Sequence, residues 1–600
     1  MQHRRGPMTT DAPKNYGQSL KRLLGGMKKY RGRFILAALL ALGASVIQIF
    51  GPRLMGQATT AIFEGLVSKM QGTGGIDFER IGRALLMMLG LYLVSTLFQW
   101  LQGWLMAQVS TDFGYSLRKK MSDKIHRMPM RYFESNPVGD ILSRLTNDVD
   151  AVSSNLSESI TQSLSAIVTV VGVLIMMLSI NWVMTLLALL VVPLSGVVIA
   201  VVFKVSRKYF KQQQESLGKI TSQVEEDFSG HQLIKAFNRE DEAEATFGET
   251  NEKLYESGWK SVFLSGLMHP IMTFVNNLGY VVTVLSGAIL ASQGAIQVGD
   301  ILAFTQYINM FTQPIARFAQ MSSVIQRMLA ASERVFQFLD EEEEPQEAPL
   351  EGAACTQGNV VFENVTFGYD PAKPVIKNFS SSVQSGEMVA IVGPTGAGKT
   401  TLVKLLMRFY DVDAGRILLD GRDIAGIPRQ NLRTCFGMVL QDTWLFSGTI
   451  MENIRYGRPD ATDEEVVEAA RAAHADHFIR TLPEGYQMVI DEEADNISQG
   501  QKQLLTIARA ILSDKPILIL DEATSNVDTL TEQRIQKAMG NLTRGRTSFV
   551  IAHRLSTIRD ADIILVMRDG DIVEQGRHEE LLSNGGFYAE LYNSQFEQTA

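Results

Sequence analysis

Long apolar runs dominate the first 325 positions of the chain, and short ones take over beyond about position 358. Six runs, roughly 34–58, 82–108, 160–180, 183–205, 264–291 and 298–322, are each long enough for a helix that crosses a bilayer, which takes ~20 apolar residues. Only Asn181 and Trp182 separate the third from the fourth, so those two are expected to form a tight hairpin on the outer side. The stretches 110–158 and 204–262 hold seven and nine Lys/Arg, while the connections on the opposite face are short and carry little or mixed charge. The positive-inside rule therefore places both stretches and both termini in the cytoplasm. Their helical periodicity predicts that the spanning helices continue well past the membrane, because long structureless loops are uncommon.

From position 360 the period changes. Runs rich in β-forming residues, 360–369, 388–393, 436–441, 517–522 and 547–552, alternate with helical ones, a pattern that predicts an α/β domain with a largely parallel sheet. Asp569-Gly570 between two apolar runs is a hairpin signal. Asp340 to Glu351 carries seven acids, two prolines and no base, which marks a solvated linker. The expected division is a cytoplasmic N-terminal segment over 1–33, a six-span domain over 34–325, a linker over 326–358 and an α/β domain over 359–600.

Composition narrows the function classes. Of 600 residues, 46% are hydrophobic and 20% charged, below the ~25% charged of an ordinary soluble chain. A net charge of −9 argues against a basic nucleic-acid binder. Two cysteines, Cys355 and Cys435, cannot build a disulfide framework or a Cys-rich zinc site. The centres of the apolar runs are essentially free of charge, which disfavours a proton-coupled carrier. Asn276, Asn277, Gln48 and Gln99 are the most deeply placed polar residues, expected mainly to hydrogen-bond between helices. Met87, Met88, Met106, Met176, Met177, Met268 and Met272 are expected mainly to pack or to face lipid.

The chemistry sits in the second half. Gly393-Pro-Thr395-Gly396-Ala-Gly398-Lys399-Thr400 fits G-x-x-x-x-G-K-[ST], between an apolar strand and a helix that starts near Thr401. In that setting glycines let backbone N–H groups close around phosphate oxygens, Lys399 reaches the β/γ-phosphates and the Thr400 hydroxyl ligates Mg²⁺. A second apolar strand ends in Asp521-Glu522, at the phosphate crevice of a parallel sheet. Asp521 can hold the Mg²⁺ shell, and Glu522 can orient or deprotonate an attacking water. Gln441 closes another strand and can touch Mg²⁺ and water. His553 can contact the γ-phosphate, and Tyr369 can stack on adenine.

With Asn496-Ile497-Ser498-Gln499-Gly500-Gln501, this set resembles the ATPase domain of ABC transporters, whose signature is usually L-S-G-G-Q. The resemblance assigns Tyr369 to the A-loop, 393–400 to Walker A, Gln441 to the Q-loop and Asp521 and Glu522 to Walker B. It assigns Ser525-Asn526-Val527-Asp528 to the D-loop and His553 to the switch histidine. Six spans followed by this domain are similar to the type IV exporter half-transporter, with a basic elbow segment at about 16–33. The implied fold class is an N-terminal all-α six-helix transmembrane domain followed by a C-terminal α/β P-loop ATPase domain.

The family implies ATP and Mg²⁺ as cofactors and a dimer in which Ser498, Gly500 and Gln501 face the γ-phosphate held by the other subunit, with Asp528 beside it. It also implies coupling helices, expected near Ser135–Asp140 and Glu225–Gly230. The expected activity is ATP-driven export of hydrophobic or amphipathic compounds, drug or lipid class, by alternating access across a bacterial inner membrane. The competing readings are an ATP-gated channel, a regulatory membrane ATPase and a membrane-anchored P-loop kinase. Gln499 where the family usually has Gly favours a heterodimer with a second half-transporter.

Overall fold

The computed structural model describes residues 16–350, 355, 357–370, 372–441, 443–491, 496–521, 528–552 and 555–596. The chain forms two compact units: Met1–His126 with Val138–Glu341, and Arg127–Pro137 with Glu342–Ala600.

The first unit is helical. Its long elements are Arg31–Met70, Phe78–Ile125, Val149–Ile180, Trp182–Leu189 continued by Val191–Ser229, Glu240–Gly266 continued by Met268–Ser292, and Val298–Asp340. They outrun the apolar stretches that predicted them. Phe78–Ile125 has 48 residues, which at 1.5 Å each is ~70 Å, about twice the ~30 Å of a hydrocarbon core. Gly17–Met70, Phe78–Ile125, Val138–Ile180 and Glu240–Ser292 are long and apolar enough to cross a membrane. The expected runs 183–205 and 298–322 lie in the Trp182–Leu189/Val191–Ser229 and Val298–Asp340 helices.

Side chains that would be buried in a soluble protein face outward here: Leu86 is 70% exposed and Ile175 60%. Lipid removes the hydrophobic penalty for that arrangement, while helices satisfy the backbone internally. Asn181 ends one helix in extended conformation and caps the next, accepting from the N–H groups of Val183 and Met184. This is the tight connection expected there. Inside the unit, buried Tyr307 donates its hydroxyl to the Ile49 carbonyl at 2.9 Å, and Arg334 grips the Asp148 carboxylate through two nitrogens at 2.8 and 2.5 Å.

The two basic stretches expected to carry coupling helices each contain a short helix near the expected position. In the first, Asn136-Pro137 lies between short helices Met130–Ser135 and Val138–Ser143. The second expected element, Glu225–Gly230, is the end of the Val191–Ser229 helix, and the short helix His231–Ala236 follows it.

The second unit is built on strands β1 Val360–Phe367, β2 Ile376–Val383, β3 Met388–Val392, β4 Ala414–Leu419, β5 Arg422–Asp423, β6 Phe436–Val439, β7 Gly448–Thr449, β8 Val489–Ile490, β9 Ile517–Asp521, β10 Thr547–Ile551, β11 Ile563–Arg568 and β12 Asp571–Gly576. The central sheet has the order β12-β11-β3-β10-β9-β6. Its neighbours pair in parallel except for β11–β12, an antiparallel hairpin closed at Asp569-Gly570. β3, β9 and β10 are almost wholly buried and mostly apolar, as strands covered on both faces tend to be.

The run at 360–369 does not join that sheet. It becomes β1 of a separate antiparallel sheet, β2-β1-β4-β5, and its alternation of buried and half-exposed positions suits a strand covered mainly on one face. Phe362 packs edge-on against Phe379 and Phe549, which ties the two sheets into one core. A second core gathers around the Gln499–Ser513 helix, with Leu504, Leu505 and Ile507 fully or almost fully buried.

Candidate functional site

The parallel sheet brings the chemistry-bearing positions to one edge. In register, Ile551 of β10 lies opposite Asp521 of β9, Val439 of β6 opposite Leu520, and Ile551 opposite Ile391 of β3. The loop after β3, Asp521, and Gln441 two residues past β6 therefore leave the sheet on the same side. This is the crevice side of an open α/β sheet.

The Gly393–Lys399 loop is shaped by backbone that only glycine adopts without strain. Gly396 has φ +85° and Gly398 φ +103°. A methyl on Gly398 would also lie 2.8 Å from Ile376 Cδ1, and one on Gly393 only 2.3 Å from the Met567 carbonyl oxygen. The helix Lys399–Leu406 starts directly after Gly398, so its first N–H groups point into the loop as an anion-binding terminus.

Lys399 Nζ donates to the carbonyls of Gly393 and Pro394 at 2.6 and 3.0 Å. Burial pulls its pKa below the ordinary lysine value, and the charge of Asp521 partly offsets that. A half-buried ammonium beside carbonyls has unmet demand for negative charge, which a polyphosphate would supply. Thr395, Gly396 and Thr400 are exposed on the loop, and Thr401 is buried behind it. The Thr400 hydroxyl and the Asp521 carboxylate, at the same edge of the sheet, are hard oxygen donors of the kind Mg²⁺ takes.

Tyr369 stands two residues beyond the end of β1 and is 38% exposed. Its ring sits edge-on to Phe367 and Tyr410, both at 5.2 Å, and its hydroxyl lies 3.2 Å from the Thr401 hydroxyl. An aromatic clamped beside the phosphate loop can offer a face to a base. The surroundings of Tyr369 were not legible beforehand, since Glu134, Lys404 and Tyr410 touch it or its neighbours from far along the chain. The Arg-Phe-Tyr run just past the loop helix was the nearest signal.

Ser498, Gly500 and Gln501 do not belong to this strand-end group. They begin the Gln499–Ser513 helix of the second core, where Ser498 and Gln501 form a reciprocal capping box. Gln499 is the first helical residue, outside the positive-φ positions, and its side chain is exposed. The backbone at this position therefore does not need the conformational freedom of glycine, and what Gln499 adds is its side chain. Asp528 caps the Thr529–Thr543 helix through the N–H groups of Leu530 and Thr531, which hold its carboxyl below the usual range. Glu522, Ser525, Asn526, Val527 and His553 lie outside the described residues.

Comparison with known proteins decides the family. Residues 34–315 match the ABC transporter transmembrane region, and residues 376–525 match the ABC transporter family. Over 609 aligned residues the chain is 44% identical to a protein of Mycobacterium tuberculosis (strain CDC 1551 / Oshkosh) named fatty acid ABC transporter ATP-binding/permease protein, with 96% of each covered. The chain belongs to the ABC transporters. It is also 39% identical to the ATP-dependent lipid A-core flippase of Dechloromonas aromatica (strain RCB), with 96% of this chain and 97% of that one covered. A solved structure of a bacterial Atm1-family ABC exporter with ATP bound superimposes with a TM-score of 0.70 at 29% identity, over 95% of this chain and 98% of that one. As an ABC transporter of the exporter type with membrane and ATPase domains in one chain, the protein is an integral membrane ATP hydrolase whose hydrolysis is coupled to transport.

Proposed function

We propose that this ABC transporter exports amphipathic, lipid-class molecules across a bacterial inner membrane by alternating access, with its termini and ATPase domain in the cytoplasm. The observation that carries the reading is a cavity of about 840 Å³ inside the helical unit, lined by four of its long helices. Gln48, Gln99, Gln102 and Gln313 offer amides there, beside Ala44 and Met106. An amphiphile needs both kinds of wall. Gln48 and Gln99, expected mainly as links between helices, face this cavity, and the bond made by Gln99 is to Ser95 of its own helix at 3.4 Å. The names of the relatives, a fatty acid transporter and a lipid A-core flippase, favour lipid over drug.

In this reading Tyr369 stacks on adenine, and the backbone of Gly393, Thr395, Gly396 and Gly398 holds the phosphates with Lys399 and Thr401. Thr400, Asp521 and Gln441 would hold Mg²⁺, which supplies charge neutralisation at the β/γ-phosphates. Glu522 acts on the attacking water, and Gln441 and His553 complete the catalytic set. Ser498, Gly500, Gln501 and Asp528 serve the site of the opposite subunit. ATP binds the domain-closed state better than the open one, and that difference biases the spans outward.

The opposite subunit is expected to be a second, non-identical half-transporter. Support comes from the exposed Gln499 side chain, standing on the helix terminus that would meet a phosphate, while this chain keeps its own Walker residues. A homodimer with two equivalent hydrolytic sites and full transport from this chain alone would exclude that arrangement.

Transport is tested in inside-out vesicles supplied from the medium with ATP and a panel of lipids, fatty acids and dyes. ATP-dependent accumulation of an amphiphile, abolished by Ala166→Trp in the cavity wall while ATP hydrolysis persists, is the expected result. Hydrolysis without movement of any panel member would favour a regulatory ATPase instead.

A further inference from the structure

Residues 127–137, on the connection between two spanning helices, belong to the ATPase unit. Glu134, on the short helix Met130–Ser135, spends both carboxylate oxygens there. One pairs with Lys404 Nζ at 2.8 Å, and the other accepts from the Tyr410 hydroxyl at 2.7 Å. Both partners flank the same ring. Lys404 Nζ lies 5.5 Å from the centroid of Tyr369, and the Tyr410 ring meets it edge-on at 5.2 Å and 88°. Lys404 is one turn beyond Thr400 on the phosphate-loop helix, so one carboxylate joins that helix, the Tyr369 ring and the loop that comes from the membrane domain.

The electrostatics fit a fixed arrangement. The Glu134 and Lys404 side chains are 29% and 25% exposed, less open than the surface pairs that contribute little. Burial works against the Lys404 charge, but the hydrogen bond and charge of Glu134 together with the neighbouring Tyr369 hydroxyl more than offset it, and its pKa lies above the ordinary value. Burial, then Glu134, raises the Tyr410 hydroxyl, which keeps it a donor. A ring held on two sides loses little freedom when a base stacks on it, and that preorganisation strengthens binding.

We propose that Glu134 is a positioning residue for ATP binding: by holding Lys404 and Tyr410 it sets Tyr369 as the adenine platform and ties nucleotide occupancy to the membrane-domain loop. This rests on the reading of Tyr369 as that platform. Because coupling is reciprocal, ATP on Tyr369 strengthens the grip of the ATPase domain on the loop by the same factor.

The test uses the full-length transporter in lipid discs as wild type, Tyr369→Ala, Glu134→Gln and the double variant, with KM for ATP, kcat and Tm read for each. Tyr369→Ala should raise KM at least about fivefold, and Glu134→Gln about threefold with kcat nearly unchanged, just below the usual range of couplings between sites. The double variant should be no worse than Tyr369→Ala alone, because both act through one ring. Tyr410→Phe removes only the hydroxyl bond and should raise KM in the same direction, even if Glu134→Gln fails to fold. An unchanged KM in Tyr369→Ala would overturn the stacking reading itself. If Tyr369→Ala raises KM but Glu134→Gln and Tyr410→Phe do not, or if the effects multiply in the double variant, Glu134 only fastens the loop and the proposal is wrong.

Discussion

Gly56 and Gly299 touch backbone to backbone where the Arg31–Met70 and Val298–Asp340 helices meet. A methyl on Gly299 would lie 1.8 Å from the Gly56 carbonyl oxygen, and Gly299 N–H donates to the Thr60 hydroxyl at 3.1 Å. Small residues let helices approach this closely when lipid provides no hydrophobic drive between them. Gly299→Ala should therefore destabilise the helical unit by about 1–3 kcal/mol, the usual size of an overpacking penalty. Gly82→Ala, on a helix position with nothing within 4 Å, should be neutral or stabilising. Thermal unfolding in detergent compares the two, and equal Tm values would remove the contact from consideration.

Lys399→Ala should weaken ATP binding itself, because it deletes the half-buried cation that faces the loop. Gly398→Ala should do the same for a different reason, forcing a side chain into φ +103° and against Ile376. Direct nucleotide binding separates these from catalytic defects. Unchanged affinity in Lys399→Ala would mean that the loop does not hold the phosphates as proposed.

Glu522→Gln should keep ATP affinity and lower turnover by ~10²-fold or more, as removal of a positioned general base does. The position follows Asp521, the last residue of β9. Single-turnover hydrolysis at saturating ATP is the measurement. A near-wild-type rate would assign the base elsewhere.

Arg22 on the Tyr16–Gly26 helix binds Asp340 at the end of the last long helix, at 2.5 and 2.7 Å. The Arg22 hydrogen bond holds the Asp340 carboxyl below its ordinary value of 3.8. A depressed carboxylate contributes stability that is present above its unfolded pKa and lost as pH falls through the folded one. The contribution of this pair to Tm should therefore be present and independent of pH near neutrality and be lost below about pH 4, and Asp340→Asn should flatten that part of the profile. Because both side chains are substantially exposed, the change should be small and should shrink in high salt. A large, salt-insensitive change would point to another group.

Periodicity and spacing alone determined much of this protein. Apolar runs of bilayer length, the basic stretches between them, the phosphate-loop glycines and the Asp521 strand end are local signals, because each depends on residues within one helix, strand or turn. Even the Asn181 cap and the Asp569-Gly570 hairpin follow from a few neighbouring side chains. Tertiary structure decided what local signals cannot carry. The run at 360–369 reads as one more strand of the parallel sheet, yet it pairs antiparallel with β2 and β4, a choice made by partners and not by propensity. Gln499 reads as a departure from the family's usual glycine, and only the helix shows that the backbone there is an ordinary first turn. Glu134 reads as one more acid on a cytoplasmic loop, and its link to Lys404 and Tyr410 spans about 270 positions. Such pairs leave no pattern in sequence, since contact between distant segments arises only when burial of both cores brings their surfaces together.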